Sequence, residues 1–191
     1  ASERCASVAA LRERTRRVAL IGLRGAGKSS VGQRLAARLG HGFVELDERV
    51  EAAAGLSLGE IFSLQGEGYF RSLEREALLR VLAEAPGQVI ATGGGLVGAA
   101  ETYDLLRRAC FTVWLRAQPD EHWDRVTAQG DRRPMRAFEE AEARRQLTQL
   151  LRDREPLYQR ADLTIDTSKL GVDDAVAAIA AALDPAGPAG Q

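Results

Sequence analysis

The sequence predicts an α/β fold, a three-layer sandwich in which helices cover both faces of a five-stranded parallel sheet. Two observations lead to this prediction. Short apolar runs alternate with longer amphipathic stretches along the chain, as strands and crossover helices do in a parallel sheet. The 191 residues, 45% of them hydrophobic, are also enough to bury one sizeable core. In folds of this kind, ligands bind at the carboxyl ends of the strands.

Five apolar runs have the length and composition of buried strands. They cover residues 17–23, 42–46, 88–92, 111–115 and 162–166. The intervals between the runs show helical periodicity, with a break near Gly66. The expected helices cover residues 28–39, 58–84, 99–108, 119–128, 139–153 and 172–183. The polar residues 129–138, which include Pro134 and three arginines, are expected to form a loop.

The chain is expected to form one domain over residues 17–183, preceded by a basic leader or linker at 1–16 and followed by a disordered tail at 184–191. The formal net charge is −1, so this domain is not expected to bind nucleic acid. Two cysteines without metal-binding spacing argue against a disulfide scaffold and a zinc site, and they indicate a cytoplasmic protein. No apolar run approaches the ~20 residues of a membrane span, so no membrane partner is expected.

The segment GLRGAGKS, residues 22–29, matches the phosphate-loop pattern G-x-x-x-x-G-K-[ST] between a strand and a helix. Glycines turn backbone N–H groups toward an anion, and the helix N-terminus adds positive potential. Lys28 then reaches the outer phosphates, and the hydroxyl of Ser29 can bind Mg²⁺. The alternative, a glycine turn without a ligand, leaves Lys28 with little structural use. The expected nucleotide contacts are Gly22, Gly25, Ala26, Gly27, Lys28, Ser29 and Ser30.

Polar residues downstream supply what phosphoryl transfer to a small molecule needs. Glu45 and Asp47 occupy alternate positions at the predicted end of the second strand, so both side chains can point toward the phosphate loop. The alternatives are an exposed strand end or an N-cap for a helix that begins near Glu48. The segment TGGG, residues 92–95, ends the third strand and either lets a ligand lie against bare backbone or forms a plain turn. Arg71 lies on a helix and, taken alone, is equally a surface residue.

Together these segments resemble the shikimate kinases. The matching segments are GLRGAGKSS, FVELDERVE, GEGYFRSLE, VIATGGGLV, RRPM and REPLY, in this order, over about residues 17–183. The resemblance implies the P-loop fold of nucleoside-monophosphate kinases, and the ATP- and Mg²⁺-dependent phosphorylation of the 3-hydroxyl of shikimate. Shikimate is a small hydroxy acid, whose carboxylate two arginines can clamp and whose hydroxyls a carboxylate can orient.

The resemblance also implies a role for each matching residue. Shikimate contacts are implied at Asp47, Arg71, Gly93, Gly94, Gly95 and Arg154. Asp47 is implied to hold the attacking hydroxyl and to accept its proton. Arg133 matches the lid arginine that folds over the γ-phosphate once substrates are bound, and Arg125 approximately matches the arginine near adenine. Ser29 and Glu45 are the implied Mg²⁺ ligands, with Glu45 where the family usually has aspartate. The expected catalytic residues are Lys28, Asp47 and Arg133.

A second resemblance concerns the segment CFTVWLRAQPDEHWDRVTAQGDRRPM, residues 110–135. It is similar to the shikimate-kinase-like C-terminal domains of helix-turn-helix regulators of benzoate degradation. That resemblance implies a sensor that binds an aromatic acyl-CoA, benzoyl-CoA, without phosphoryl transfer, and a fusion to an upstream DNA-binding domain through the leader. The retained polar groups favour the kinase over the sensor. A gluconate kinase is a third alternative, but it does not predict Arg71 and Arg154 together with the glycine triplet.

Overall fold

The computed structural model describes residues 13–117 and 137–184. Its centre is a sheet of parallel strands in the order β2-β3-β1-β4-β5. The strands are β1 (Arg17–Ile21), β2 (Gly42–Glu45), β3 (Gln88–Ala91), β4 (Phe111–Arg116) and β5 (Leu163–Asp166). The five predicted strands are confirmed, and each observed strand begins and ends within two residues of its prediction.

Helices cover both faces of this sheet, which confirms the predicted three-layer sandwich. They are α1 (Lys28–Leu39), α2 (Leu46–Ala54), α3 (Leu58–Ala83), α4 (Ala100–Ala109), α5 (Ala137–Tyr158) and α6 (Val172–Leu183), with a 3₁₀ turn at Leu96–Gly98 before α4. Val18 and Leu20 of β1 pack with α1 and α6, whereas Ala19 and Ile21 face the core formed with α2 to α5. Successive side chains of a strand point to opposite faces, so β1 serves both cores.

The buried runs explain why the strands were recognisable. Residues 18–21 of β1 have no exposed surface, and residues 111–115 of β4 are also buried. Strands of a parallel sheet that is covered on both faces are apolar along their whole length. The edge strands β2 and β5 are only partly buried.

Helix α2 corrects the predicted end of the second strand. The strand ends at Glu45, which is the N-cap residue of α2, and Asp47 lies in the first turn of that helix. The prediction that Glu45 and Asp47 alternate along one strand is therefore wrong. Because Leu46 and Val50 are fully buried at helical spacing, the chain passes from strand to helix without a loop.

Helix α3 contains the break that the sequence predicts. Its N-terminus is a capping box in which Ser57 and Glu60 each satisfy the other's backbone N–H. At Gly66 the backbone adopts φ 79° and ψ 177°, which is not helical, and the helix kinks there. A positive φ of this kind is easily adopted only by glycine. The kink separates the first turns of α3 from the longer part that carries Arg71.

Helix α5 is longer than predicted and takes in residues 137 and 138, which had been assigned to the polar loop. It also continues past Pro156 to Tyr158. The predicted helix over 119–128 and the loop residues 129–136 lie outside the described residues. So do Arg125 and Arg133, and their roles stay predictions.

The end of the predicted leader packs against the domain. Arg14 donates a 2.9 Å hydrogen bond to the carbonyl of Cys110 and forms a 2.5 Å ion pair with Asp162. Residues 1–12 and 185–191 lie outside the described part of the chain, so the boundaries of leader and tail stay predictions. In the ranges 13–117 and 137–184, no helix is both long enough and apolar enough to span a membrane.

Candidate active site

The phosphate loop connects β1 to α1 at the carboxyl edge of the sheet. Gly22 has a φ of 141°, and a Cβ at this position would lie 2.6 Å from the carbonyl oxygen of Leu115. Gly27, with a φ of 89°, is the N-cap of α1. Only glycine fits the first position, and both adopt backbone conformations that other residues rarely take. The loop therefore turns tightly and presents the N-terminus of α1 to the cavity above it.

Lys28 is the first residue of α1 and folds back over its own loop. Its Nζ donates hydrogen bonds to the carbonyl oxygens of Gly22 and Leu23, at 2.8 and 2.9 Å. Burial lowers the pKa of Lys28 to about 8, and the negative charges of Asp47 and Glu45 partly oppose this effect. A desolvated cation beside a helix N-terminus attracts phosphate more strongly than a hydrated one, because less water has to be displaced.

Two carboxylates face the loop from the end of β2 and the start of α2. Glu45 accepts a hydrogen bond from the hydroxyl of Ser29, and burial raises its pKa despite that bond. Burial likewise raises the pKa of Asp47, against the nearby positive charges of Lys28, Arg24 and Arg71. Both carboxylates, Glu45 and Asp47, line a cavity of about 220 Å³. Its lining consists of Arg24, Gly25, Gly27, Lys28, Ser29, Ser30, Glu45, Asp47, Thr92 and Gly94.

The glycine triplet lies beside this cavity, and Gly94 is one of its lining residues. A Cβ on Gly93 would lie 2.7 Å from Oδ1 of Asp47 and 3.2 Å from Oε1 of Glu74. Among the described residues, neither of these two buried oxygen atoms has a hydrogen-bond partner. Buried carboxylate oxygens without partners are costly, so the two acids are not placed here for stability alone.

Glu74 belongs to the site but was not predicted from the sequence. It has no exposed surface, and its Oε2 accepts a 2.8 Å hydrogen bond from Nη1 of Arg71. Burial raises its pKa, and Arg71 opposes that effect. The sequence does contain a signal: Glu74 lies four residues after Phe70 and three before Ala77, so a charge interrupts the apolar face of the helix.

Arg71 and Arg154 reach the glycine triplet from different helices. Arg71 is held by Glu74 and by Glu67, whose Oε1 accepts a 3.0 Å bond from Nη2. A Cβ on Gly95 would lie 2.6 Å from that Nη2. Arg154, on α5, donates a 3.0 Å hydrogen bond to the carbonyl of Gly94. The fold thus brings together two arginines that are 83 positions apart in the chain, as a clamp for an anion requires.

A second cavity, of about 310 Å³, lies on the other side of the phosphate loop. It is lined by Gly25, Ala26, Gly27, Ser30, Val31, Thr167, Leu170, Gly171, Val172 and Ala175. The hydroxyl of Thr167 donates a 3.0 Å hydrogen bond to the carbonyl of Arg116, which fixes the segment after β5 beside the loop. The mostly apolar lining of this second cavity suits a flat heterocycle better than a charged group.

Oxygen ligands for a metal ion are few. In the described part of the chain, no cluster of three or more His, Cys, Asp and Glu side chains is arranged to hold a metal ion. The side chains of Ser29 and Glu45, which are hydrogen-bonded to each other, each supply an oxygen ligand next to the phosphate loop. Mg²⁺ commonly takes one or two protein oxygens and completes its shell with phosphates and water, so the pair fits that ion.

This fold and site define the class of P-loop kinase folds: a parallel sheet in the order 2-3-1-4-5, a lysine-bearing phosphate loop, and a carboxylate beside it. A family model described as shikimate kinase matches residues 24–184. A shikimate kinase of Symbiobacterium thermophilum is 42% identical over 175 residues, which span 91% of this chain and 99% of that one. The chain belongs to the shikimate kinase family.

Solved structures agree with this assignment. A shikimate kinase from Acinetobacter baumannii in complex with shikimate has a TM-score of 0.78 and 29% identity, over 87% of this chain and 92% of that one. The shikimate kinase from Bacteroides thetaiotaomicron also has a TM-score of 0.78 and 29% identity, over 87% and 97% of the two chains. Family membership sets aside the gluconate kinase alternative. The comparisons give no support to a regulator of benzoate degradation.

Proposed function

We propose that this chain transfers the γ-phosphoryl group of ATP to the 3-hydroxyl of shikimate. Family membership supports this reaction. The proposal depends most on one feature of the site. Asp47 lines the phosphate-loop cavity, and its buried Oδ1 lies against Gly93 of the glycine triplet, which Arg71 and Arg154 also approach. A hydroxy acid needs these groups in this combination, because its hydroxyl requires an acceptor and its carboxylate requires cations.

The nucleotide would bind on both sides of the phosphate loop. The backbone N–H groups of residues 25–30 and the Nζ of Lys28 would hold its phosphates, and the apolar cavity beside Leu170 would take the base. Ser29 and Glu45 would hold Mg²⁺ when it is bound. A bound Mg²⁺ would supply positive charge that neutralises the negative charge developing during phosphoryl transfer. The roles implied for Arg125 near adenine and for Arg133 over the γ-phosphate complete this proposal.

Asp47 would act on the acceptor. Its carboxylate would accept the proton of the attacking hydroxyl, the hydroxyl oxygen would bond to the γ-phosphorus, and the bond from that phosphorus to the bridging oxygen would break, which releases ADP. Burial already raises the pKa of this carboxyl, which makes it a stronger base than an exposed aspartate. Arg71 and Arg154 would hold the shikimate carboxylate, and Gly93, Gly94 and Gly95 would let the substrate lie close to the backbone.

A coupled ADP-release assay with shikimate and Mg-ATP tests the proposed reaction. We expect turnover of roughly 1 to 100 s⁻¹, the usual range for kinases. Gluconate in place of shikimate is the control acceptor and should give no turnover above background ATP hydrolysis. Calorimetric titration with benzoyl-CoA is run beside it. Absence of turnover together with tight binding of the thioester would refute the kinase proposal and support the sensor, whose fusion to a DNA-binding domain is so far only a prediction.

Replacing Gly95 with alanine is expected to raise the KM for shikimate roughly tenfold, because the added Cβ would push the Arg71 guanidinium out of position. The KM for Mg-ATP should not change. Gly98→Ala is the matched control, since a Cβ at Gly98 would meet no atom within 4 Å. Steady-state kinetics measure the KM for shikimate in both variants. Equal values would contradict the proposed contact between Arg71 and the substrate.

A further inference from the structure

The carbonyl oxygen of Gly94 accepts two hydrogen bonds from side chains of α5. The hydroxyl of Tyr158 donates one at 2.8 Å, and Nη1 of Arg154 donates the other at 3.0 Å. Arg154 also donates a hydrogen bond to the hydroxyl oxygen of Tyr158. Each of the three groups is therefore hydrogen-bonded to the other two. The Tyr158 hydroxyl contacts both the glycine triplet and a predicted substrate-binding arginine.

Packing against the core fixes the orientation of the Tyr158 ring. Its side chain is 1% exposed, and its ring stacks on Trp114 of β4 with centroids 5.5 Å apart and an angle of 12° between the planes. Stacked aromatic rings in a buried core have little freedom to rotate. Burial raises the pKa of Tyr158 to about 12, so the hydroxyl keeps its proton at neutral pH and remains a donor.

On its other side, Gly94 lies against the phosphate loop. A Cβ at Gly94 would lie 3.2 Å from the backbone nitrogen of Arg24 and 3.4 Å from Cα of Leu23. The Gly94 peptide is thus clamped between the loop that would hold the nucleotide and the helix that carries Tyr158. A displacement of this peptide would move the wall against which the acceptor is proposed to lie, and binding depends on how closely such a wall is held in place.

We propose that Tyr158 is a positioning residue of this site, whose hydroxyl fixes both the Gly94 carbonyl and the Arg154 guanidinium for the acceptor. The proposal rests on the proposed phosphorylation of shikimate. Tyr158 itself does not touch the reacting atoms. Its effect passes through Gly94 and Arg154, so it is expected to show on the acceptor and not on the nucleotide.

The kinetic test compares Tyr158→Phe with Tyr103→Phe. Tyr103 is also fully buried, and its hydroxyl donates a 3.0 Å hydrogen bond to the carbonyl of Leu157, so each variant loses one bond from a tyrosine hydroxyl to a backbone carbonyl. Y158F loses in addition the bond that Arg154 donates to the hydroxyl oxygen. We expect Y158F to lower kcat/KM for shikimate roughly tenfold through a higher KM, with the KM for Mg-ATP changed less than about twofold. Y103F should keep both wild-type values. Thermal unfolding of both variants shows whether their losses of stability are alike.

A second measurement needs no substrate. The Gly95 amide shares its peptide group with the Gly94 carbonyl, so its NMR resonance reports the hydrogen bonds to that oxygen. In the ligand-free protein, Y158F should shift this resonance and Y103F should not. If the two variants behave alike in kinetics and in this resonance, the positioning role is wrong while the proposed reaction stands. If wild-type protein does not phosphorylate shikimate, the proposed reaction fails, and the Gly95 resonance alone then decides whether Tyr158 fixes the wall.

Discussion

Lys28→Met is expected to lower kcat with shikimate and Mg-ATP by at least ~10³-fold, the scale seen when a charge-stabilising group is removed from phosphoryl or acyl transfer. Methionine keeps the length and apolar stem of lysine but removes the cation that lies over the phosphate loop. That cation donates hydrogen bonds to the carbonyl oxygens of Gly22 and Leu23. Steady-state turnover, with circular dichroism to confirm folding, measures the effect.

The chain offers a matched control, because it has one other lysine. The Lys169 side chain is 79% exposed and lies 3.9 Å from Asp166, so Lys169→Met removes an equal charge from the surface. Exposed pairs of this kind contribute little to stability. K169M should retain wild-type turnover. Comparable losses in the two variants would mean that net charge, and not the position of Lys28, controls the reaction.

Asp47→Asn is expected to lower kcat by ~10² to 10⁴-fold, which is the usual contribution of a positioned general base. The same variant is expected to unfold at a slightly higher temperature. The folded-state pKa of Asp47 is raised, so its ionised form costs folding free energy once the pH exceeds the unfolded pKa, and the cost is complete above the folded pKa. Asparagine removes that cost at pH 7. Turnover and thermal unfolding at pH 7 test both parts.

Glu48→Gln is the control for this variant. Glu48 is exposed and lies beside Asp47 in the first turn of α2, so both variants lose an acid that favours the helix N-terminus. E48Q should keep its activity and gain no stability. An active D47N protein would exclude Asp47 as the base. A D47N protein less stable than E48Q would show that the carboxylate contributes to folding after all.

The sheet and the phosphate loop were predictable from the sequence because each depends on a local pattern. Buried parallel strands such as residues 18–21 are continuous apolar runs, and the loop requires glycine at positions where a Cβ would collide. Helix α2 was predicted only as an alternative, as a helix that begins near Glu48, because it is 9 residues long and starts directly after a strand, so no turn residues separate the two periodicities.

The acceptor side of the site was only partly predictable. Arg71 and Arg154 entered through family resemblance, since nothing local distinguishes either from a surface arginine. Glu74 was missed because its burial depends on contacts with α2 and the glycine triplet, which lie far from it in sequence. Glu74 interrupts the apolar face of α3. Whether such a charge is buried in a site can be inferred only when its partners are known.

The side chains proposed to act on the acceptor side, Asp47, Arg71 and Glu74, all come from one continuous stretch, residues 46–83, which connects two neighbouring strands of the sheet. The phosphate-binding residues 22–30 come from a different connection. Much of the proposed acceptor site is therefore encoded in a different segment from the phosphate loop, with Arg154 on α5 and Gly93, Gly94 and Gly95 after β3 as the exceptions. A protein engineer can vary the part that contains Asp47, Arg71 and Glu74 by exchanging a single segment of the gene, and leave the phosphate loop unaltered.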